Sequence, residues 1–243
     1  MREMFRQDLH TVYDEAIEIF EDVALTVRKT VPALVQGDAV AAQEIIEGDM
    51  GFNERTVALE EKILQITATQ SPVARDVRLL QSLVYISMHI ERIADLCVSI
   101  AQTTVRTVDS TSNQTMRDLL QAQGNLVYRV IDTTIEAMKT EDLELAAKLP
   151  ELDEPIDDLY KQFFREVERI KDKKEFKWAS GMMLASRHLE RIADHSIDVG
   201  ERLVFLVTGE RSSLEDIAEE MAESSRLDRS DGPSGTGFED DDE

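Results

Sequence analysis

Glu91 and Asp95 sit four residues apart, and Glu190 and Asp194 repeat that pair 99 residues later. On a helix, residues i and i+4 share a face, so each pair sets two carboxylates side by side. Like charges at that spacing destabilise a helix by roughly 0.2–0.5 kcal/mol unless a cation intervenes. In the first half the stripe that carries them is otherwise mostly apolar: Val77, Val84 and Met88 before the acids, Val98 after them. Carboxylates on such a stripe are expected to face a bundle interior, where they must be paired, protonated or bound to metal. Hard oxygen donors suit Fe, Mn, Mg or Ca, and the single cysteine excludes sites built on several thiolates.

Further acids fall opposite these pairs. If the chain turns near Asp172, an antiparallel return brings residue 152 level with residue 192. Asp153 and Asp157, again four apart, lie at that level, so four carboxylates could converge in the second half. Reflecting the first half about Gln70-Ser71 brings residue 48 opposite residue 93. Asp49 is then the nearest acid, with Glu60 as its rival. The competing account is a solvated face or a salt bridge. Arg187, three residues before Glu190, can neutralise it, whereas the first half has Met88 at that place. His89 and His188 stand two residues from the acids and point away from them, so they read as core or surface imidazoles rather than ligands.

The elements that must position these groups are helices. Apolar periodicity and breakers predict six: Glu3–Val35, Asp38–Ala68 with a bend at Gly48–Gly51, a third reaching Val108, a fourth ending near Lys139, Glu141–Ile170 disturbed at Pro150 and Pro155, and Lys173–Val207. Ser71-Pro72 reads as an N-cap followed by proline at the first position of the third helix. In that helix Leu79, Leu83, Ile86, Ile90, Ile93, Cys97 and Ile100 follow a 4,3 spacing, a coiled-coil seam. The sixth helix repeats it with Trp178, Met182, Ala185, Leu189, Ile192, Ser196 and Val199. Cys97 therefore reads as a small buried hydrophobe rather than a reactive thiol. His89-Ile-Glu-Arg-Ile-Ala-Asp95 aligns with His188-Leu-Glu-Arg-Ile-Ala-Asp194 at six of seven positions. The expected architecture is all-α: a tandem duplication of three-helix bundles, residues 1–109 and 110–210, with an acidic, disordered tail over 211–243. Within that tail, Ser213 to Ser224 can form a short acidic helix. Ser230 onward cannot bury a core.

Composition bounds the function. The 243 residues carry 50 acids against 27 Lys and Arg, a net charge of −23, which argues against nucleic-acid binding. No uncharged stretch exceeds the twelve residues of Leu79 to Ile90, short of the roughly 20 a membrane span needs. The first residues hold no apolar export core, so a cytoplasmic protein, peripheral to a membrane at most, is expected. Of the basic residues 18 are Arg and 9 are Lys. A lysine-poor, acid-rich chain resembles proteins of a high-salt cytoplasm, where self-repulsion is screened, and suggests a haloarchaeal source. The alternative is an acidic mesophilic protein with a disordered tail.

Two Glu-Arg-Ile-Ala-Asp motifs in duplicated three-helix bundles resemble the PhoU family of phosphate-uptake regulators. Ser71-Pro-Val-Ala-Arg-Asp-Val-Arg78 is similar to the family's segment entering the third helix. Asp153-Glu-Pro-Ile-Asp157 is similar to its D-x-x-I-D segment, and the sixth helix ends on Val204-Phe-Leu-Val-Thr-Gly209 in the same manner. The resemblance spans residues 1–210 and leaves out the acidic tail. It implies a non-enzymatic regulator that restrains a phosphate ABC transporter, meeting its ATPase and membrane complex, and in bacteria also signals to a sensor kinase. It further implies a homodimer and iron or zinc bound through the paired acids Glu91, Asp95, Asp153, Asp157, Glu190 and Asp194. The first half carries Thr56 and Glu60 where the second has Asp153 and Asp157, so its site is expected to be incomplete.

Two rivals belong to other classes. A ferritin-like di-metal carboxylate enzyme wants Glu-x-x-His pairs, and none occurs here. A metal-free helical scaffold or adaptor would use its acids for solubility alone. Phosphate itself is not expected to be sensed, since neither a glycine-rich cradle nor an arginine cluster is visible.

Overall fold

The seams predicted for the two motif-bearing helices govern the packing. A computed structural model describes residues 2–230. Its helices are α1 (Arg2–Gln36), α2 (Ala39–Gln70), α3 (Arg75–Thr107), α4 (Gln114–Thr140), α5 (Leu143–Ala146), α6 (Leu149–Arg169), α7 (Lys173–Thr208) and α8 (Leu214–Ser230). No strand occurs among the described residues. On α3, Leu83, Ile86, Ile90, Ile93, Cys97 and Ile100 are buried and Leu79 is partly so. On α7 all seven seam residues, Trp178 to Val199, are buried. Burial pushes the Cys97 thiol up to about 12, so it stays protonated and serves as packing.

Side-chain caps set most of the helix starts. Asp38 accepts from the amides of Val40 and Ala41, Asn113 from Met116, Asp142 from Glu144 and Leu145, and Asp172 from Lys174 and Glu175. Each satisfies N–H groups that a first turn leaves without partners. Ser71 does not belong to this set. It ends α2 in the left-handed region at φ 48°, and α3 starts only at Arg75. Pro72 acts here as a stop just past a helix C-cap, because it cannot continue α2. The predicted fifth helix also divides. The break falls ahead of Pro150, which takes a first-turn position in α6 where its missing N–H costs nothing, and α6 runs on through Pro155. Gly209 closes α7 at φ 84°, a conformation that suits glycine.

Helices α1, α2 and α3 pack on one another, as do α4, α6 and α7, and the two groups meet most extensively through α3 against α7. One core runs through both groups. Polar links cross the inner surfaces: Ser186 Oγ donates to Gln123 Oε1 at 2.7 Å, and Tyr13 OH donates to the Met138 carbonyl at 2.7 Å. The short acidic helix expected over Ser213 to Ser224 is met by α8, longer than expected and held down by Leu214 and Ile217, both buried. Gly200 permits that approach. A Cβ there would lie 2.5 Å from Leu149 Cδ1 and 3.4 Å from Leu214 Cδ1. The expected disordered tail otherwise falls on residues 231–243, which lie outside the described residues.

Candidate functional site

Helices α6 and α7 carry the acids of the second half. Leu149, Ile156 and Phe163, seven residues apart, are the fully buried anchors of α6. That spacing sets Asp153 and Asp157 on the flank of α6 beside the buried seam, facing α7. Burial, then the charges of Asp157 and Asp194, pushes the Asp153 carboxyl up to about 6. Asp194 is raised by burial and by Asp157, against the opposing pull of Arg187. The charges of Asp153, Asp157 and Asp194 therefore act on one another across α6 and α7. Asp153 Oδ1 is buried with no hydrogen-bond partner, the kind of orphan that a cation or a proton satisfies. Glu190 behaves differently. It is buried and ion-paired with Arg187, the neutralising contact that the sequence offered.

The first half is weaker. Asp49 is raised by burial and by the charge of Asp95, and its Oδ1 also lacks a partner. Its rival Glu60 instead accepts from Ser87 Oγ at 2.9 Å. Asp95 is held by Arg92 at 2.9 Å. Glu91 is half-buried. The stripe expected to face a bundle interior does not do so: Val77, Val84 and Met88 are 46%, 42% and 43% exposed. The reason is geometric. A three-helix bundle covers one seam of α3 with α1 and α2, α7 covers a second, and the stripe falls in neither.

Three groups that share ligand distance lie elsewhere. His89 on α3 faces His195 and Asp198 on α7, and their donor atoms lie within 4.8 Å of one another. Among the described residues no three of the paired-motif carboxylates come that close. His89 was read as a core or surface imidazole. It is buried, and its environment is polar because it meets a histidine and a carboxylate from the other half. For His195 and Asp198 the sequence offers only a His-x-x-Asp spacing on one helix face. Hydrogen bonds to His195 and His89 hold the Asp198 carboxyl well below the usual carboxylate range. Beside this cluster a cavity of about 300 Å³ is lined by Tyr85, Asp198, Arg202, Arg211, Ser212 and Ser213. Two arginines do therefore converge, from the end of α7 and the loop after it, although the sequence shows them nine residues apart.

A family model described as the PhoU domain matches residues 16–104 and again 120–203. The chain belongs to the PhoU family. The two matches end 99 residues apart, the same shift that superposes the Glu-Arg-Ile-Ala-Asp motifs, and each match contains one of them. The chain is 24% identical over 212 residues to the phosphate-specific transport system accessory protein PhoU homolog 1 of Methanothermobacter thermautotrophicus, covering 86% of this chain and 97% of that one. It is 27% identical over 218 residues to the corresponding PhoU homolog of Clostridium acetobutylicum, covering 88% and 99%. Among solved structures it resembles PhoU from Pseudomonas aeruginosa with a TM-score of 0.80 at 25% identity, over 85% of this chain and all of that one. The phosphate transport system regulatory protein PhoU from Streptococcus pneumoniae gives 0.79, also at 25% identity, over 86% and 99%. These relatives share the all-α architecture and are accessory or regulatory proteins by name. No described helix is long and apolar enough to cross a membrane.

The Asp153 environment makes a pH-dependent prediction. A buried carboxyl raised in the folded state favours the protonated form, so its contribution is fully favourable below about pH 4 and is lost as pH rises through about 6. In a dry site a gap of that size is worth roughly 3 kcal/mol. Water around the half-exposed group screens this to about 1 kcal/mol. In chelator, Asp153→Asn is expected to stabilise the chain by about that much at pH 8 and by nothing at pH 3.5, as read by urea unfolding at both values. Equal effects at the two values would show that Asp153 carries no such strain.

Proposed function

We propose that this PhoU-family chain is a negative modulator of phosphate uptake that acts on a phosphate ABC transporter, at its ATPase and membrane complex. The observation that carries this reading is the double PhoU-domain match with one Glu-Arg-Ile-Ala-Asp motif inside each repeat. It works from the cytoplasm as a non-enzymatic regulator, with a sensor kinase as a second partner in a bacterial setting. Deleting the gene is expected to raise phosphate uptake under phosphate sufficiency. Unchanged uptake together with unchanged transporter expression would overturn the reading.

Within that role the paired acids hold a hard cation. Asp153, Asp157, Glu190 and Asp194 form the stronger site. The orphaned Asp153 Oδ1 and the raised Asp153 and Asp194 carboxyls support it, since a cation would relieve both. Asp49, Glu91 and Asp95 form the weaker site, with Glu60 occupied by Ser87. A bound cation supplies the positive charge that lets these carboxylates remain ionised together. It would also tie α6 to α7.

A homodimer would cover exposed apolar surface between α2 and α3. A groove there is lined by Ile63, Leu64, Pro72, Val77, Leu80 and Val84, and Leu64 is 69% exposed. The net charge of −23 supports adaptation to a high-salt cytoplasm. Helicity followed by circular dichroism is then expected to rise from low to molar KCl. Full helicity without salt would remove the physical basis of that adaptation.

A further inference from the structure

The geometry points to a second kind of metal site, in which His89, His195 and Asp198 bind a borderline transition ion such as Zn²⁺ across the junction of the two repeats. The donor spacing carries this. His89 Nδ1 lies 3.1 Å from His195 Nδ1 and 3.2 Å from Asp198 Oδ2, and His195 Nδ1 lies 3.6 Å from the same oxygen. Tetrahedral zinc with bonds of about 2.0–2.1 Å to nitrogen and oxygen sets its ligand atoms about 3.3 Å apart. Three donors already stand at the corners of one face of such a tetrahedron. Two neutral imidazoles with one carboxylate are also the protein ligand set of open zinc sites, and they differ in kind from the all-oxygen sets on α6 and in the paired motifs.

The surroundings fit an ion that enters from one side. The His89 side chain is 6% exposed, His195 17% and Asp198 38%, so exposure grows outward through the cluster. Asp198 lines the adjoining cavity of about 300 Å³, which gives an ion its route and leaves room for water as the fourth ligand. Tyr85 stacks on His89 with ring centroids 4.4 Å apart, and the Arg202 guanidinium lies 3.8 Å above the other partner in that stack, the Tyr85 ring. The buried ring is thereby held before any ion arrives. The Nε2 atoms of His89 and His195 have no hydrogen-bond partner, so the outer support that raises affinity by roughly 10–100-fold in other sites is missing and weaker binding is expected.

The consequence is structural. An ion here would bridge α3 to α7, the largest contact between the repeats, and would fix their relative position. The alternative occupant of the cluster is a proton shared between the two Nδ1 atoms and Asp198.

Co²⁺ as a stand-in for Zn²⁺ separates the two, because cobalt with imidazole ligands in a four-coordinate site absorbs visible light far more strongly than cobalt in six-oxygen surroundings. Titrating the full chain is expected to give one equivalent of strongly absorbing Co²⁺, displaced by Zn²⁺. His195→Asn and Asp198→Asn are expected to weaken it at least ~10-fold, while His10→Asn leaves it intact. Asp198→Asn changes little in shape, and circular dichroism checks that each variant is folded. No strong band in the folded wild-type chain, a band that survives in Asp198→Asn, or one that disappears in His10→Asn would overturn the site.

Discussion

Glu190→Ala/Asp194→Ala is expected to lower Mn²⁺ affinity at least ~100-fold relative to the wild-type chain, because half the carboxylates of the second-repeat site are gone. Mn²⁺ is the informative probe, since a hard ion prefers oxygen donors to the imidazole pair between the repeats. The fold should survive the substitution. Removing Glu190 leaves Arg187, whose side chain is 45% exposed and remains hydrated. Removing Asp194 relieves the half-buried Asp153 of one of the charges that push its carboxyl up. Unfolding midpoints in chelator are thus expected to be unchanged or slightly higher, so that lost binding cannot be ascribed to lost structure. Electron paramagnetic resonance of free Mn²⁺ measures the titration. Identical curves for the two proteins, or no binding by the wild-type chain, would remove the carboxylate site from the proposal.

Phe163→Ala is expected to cost about 3–5 kcal/mol, the range for deleting a buried aromatic side chain. Phe163 is 1% exposed and is one of only three buried residues on α6, whereas α3 buries sixteen. The partly buried Leu152 and Val167 add little to hold the helix once Phe163 is gone. The loss should therefore first appear as local opening of α6, with its amides exchanging at a lower free energy than those of α3. Asp153 and Asp157 ride on that helix, so Mn²⁺ binding should fall with it even though no ligand has been touched. Urea unfolding and amide exchange test both parts. A cost below about 1 kcal/mol would mean that α6 is anchored by something other than its heptad of apolar residues.

The two predictions rest on parts of the protein that differ in how openly the sequence displays them. The seams of α3 and α7 are short-range facts, since a 4,3 apolar spacing on a long helix can satisfy itself only by packing. The duplication and the level expected for Asp49 opposite α3 follow from the same local rules plus one antiparallel turn. The start of α3 was misplaced because Ser-Pro fits a helix beginning and a helix end equally well. Which one it is depends on Ser71 adopting a left-handed backbone, and neighbouring packing decides that.

What the amino-acid order determined by itself was an all-α duplicated chain, its buried seams, the family it resembles and the four acids, Glu91, Asp95, Glu190 and Asp194, that repeat within it. The tertiary structure alone decided which of several acids find a partner across helices. It assigned Glu60 to Ser87, left Asp153 and Asp49 with unpartnered oxygens, and turned Val77, Val84 and Met88 to the surface. It also made a cluster of His89, His195 and Asp198, residues that stand in different repeats. The physical reason is the reach of the information. Helical periodicity fixes neighbours within a few turns, but the docking of α3 on α7 joins His89 to a residue 106 positions away. No local spacing carries that contact. It exists because two seams, each written separately, bury their apolar area against one another.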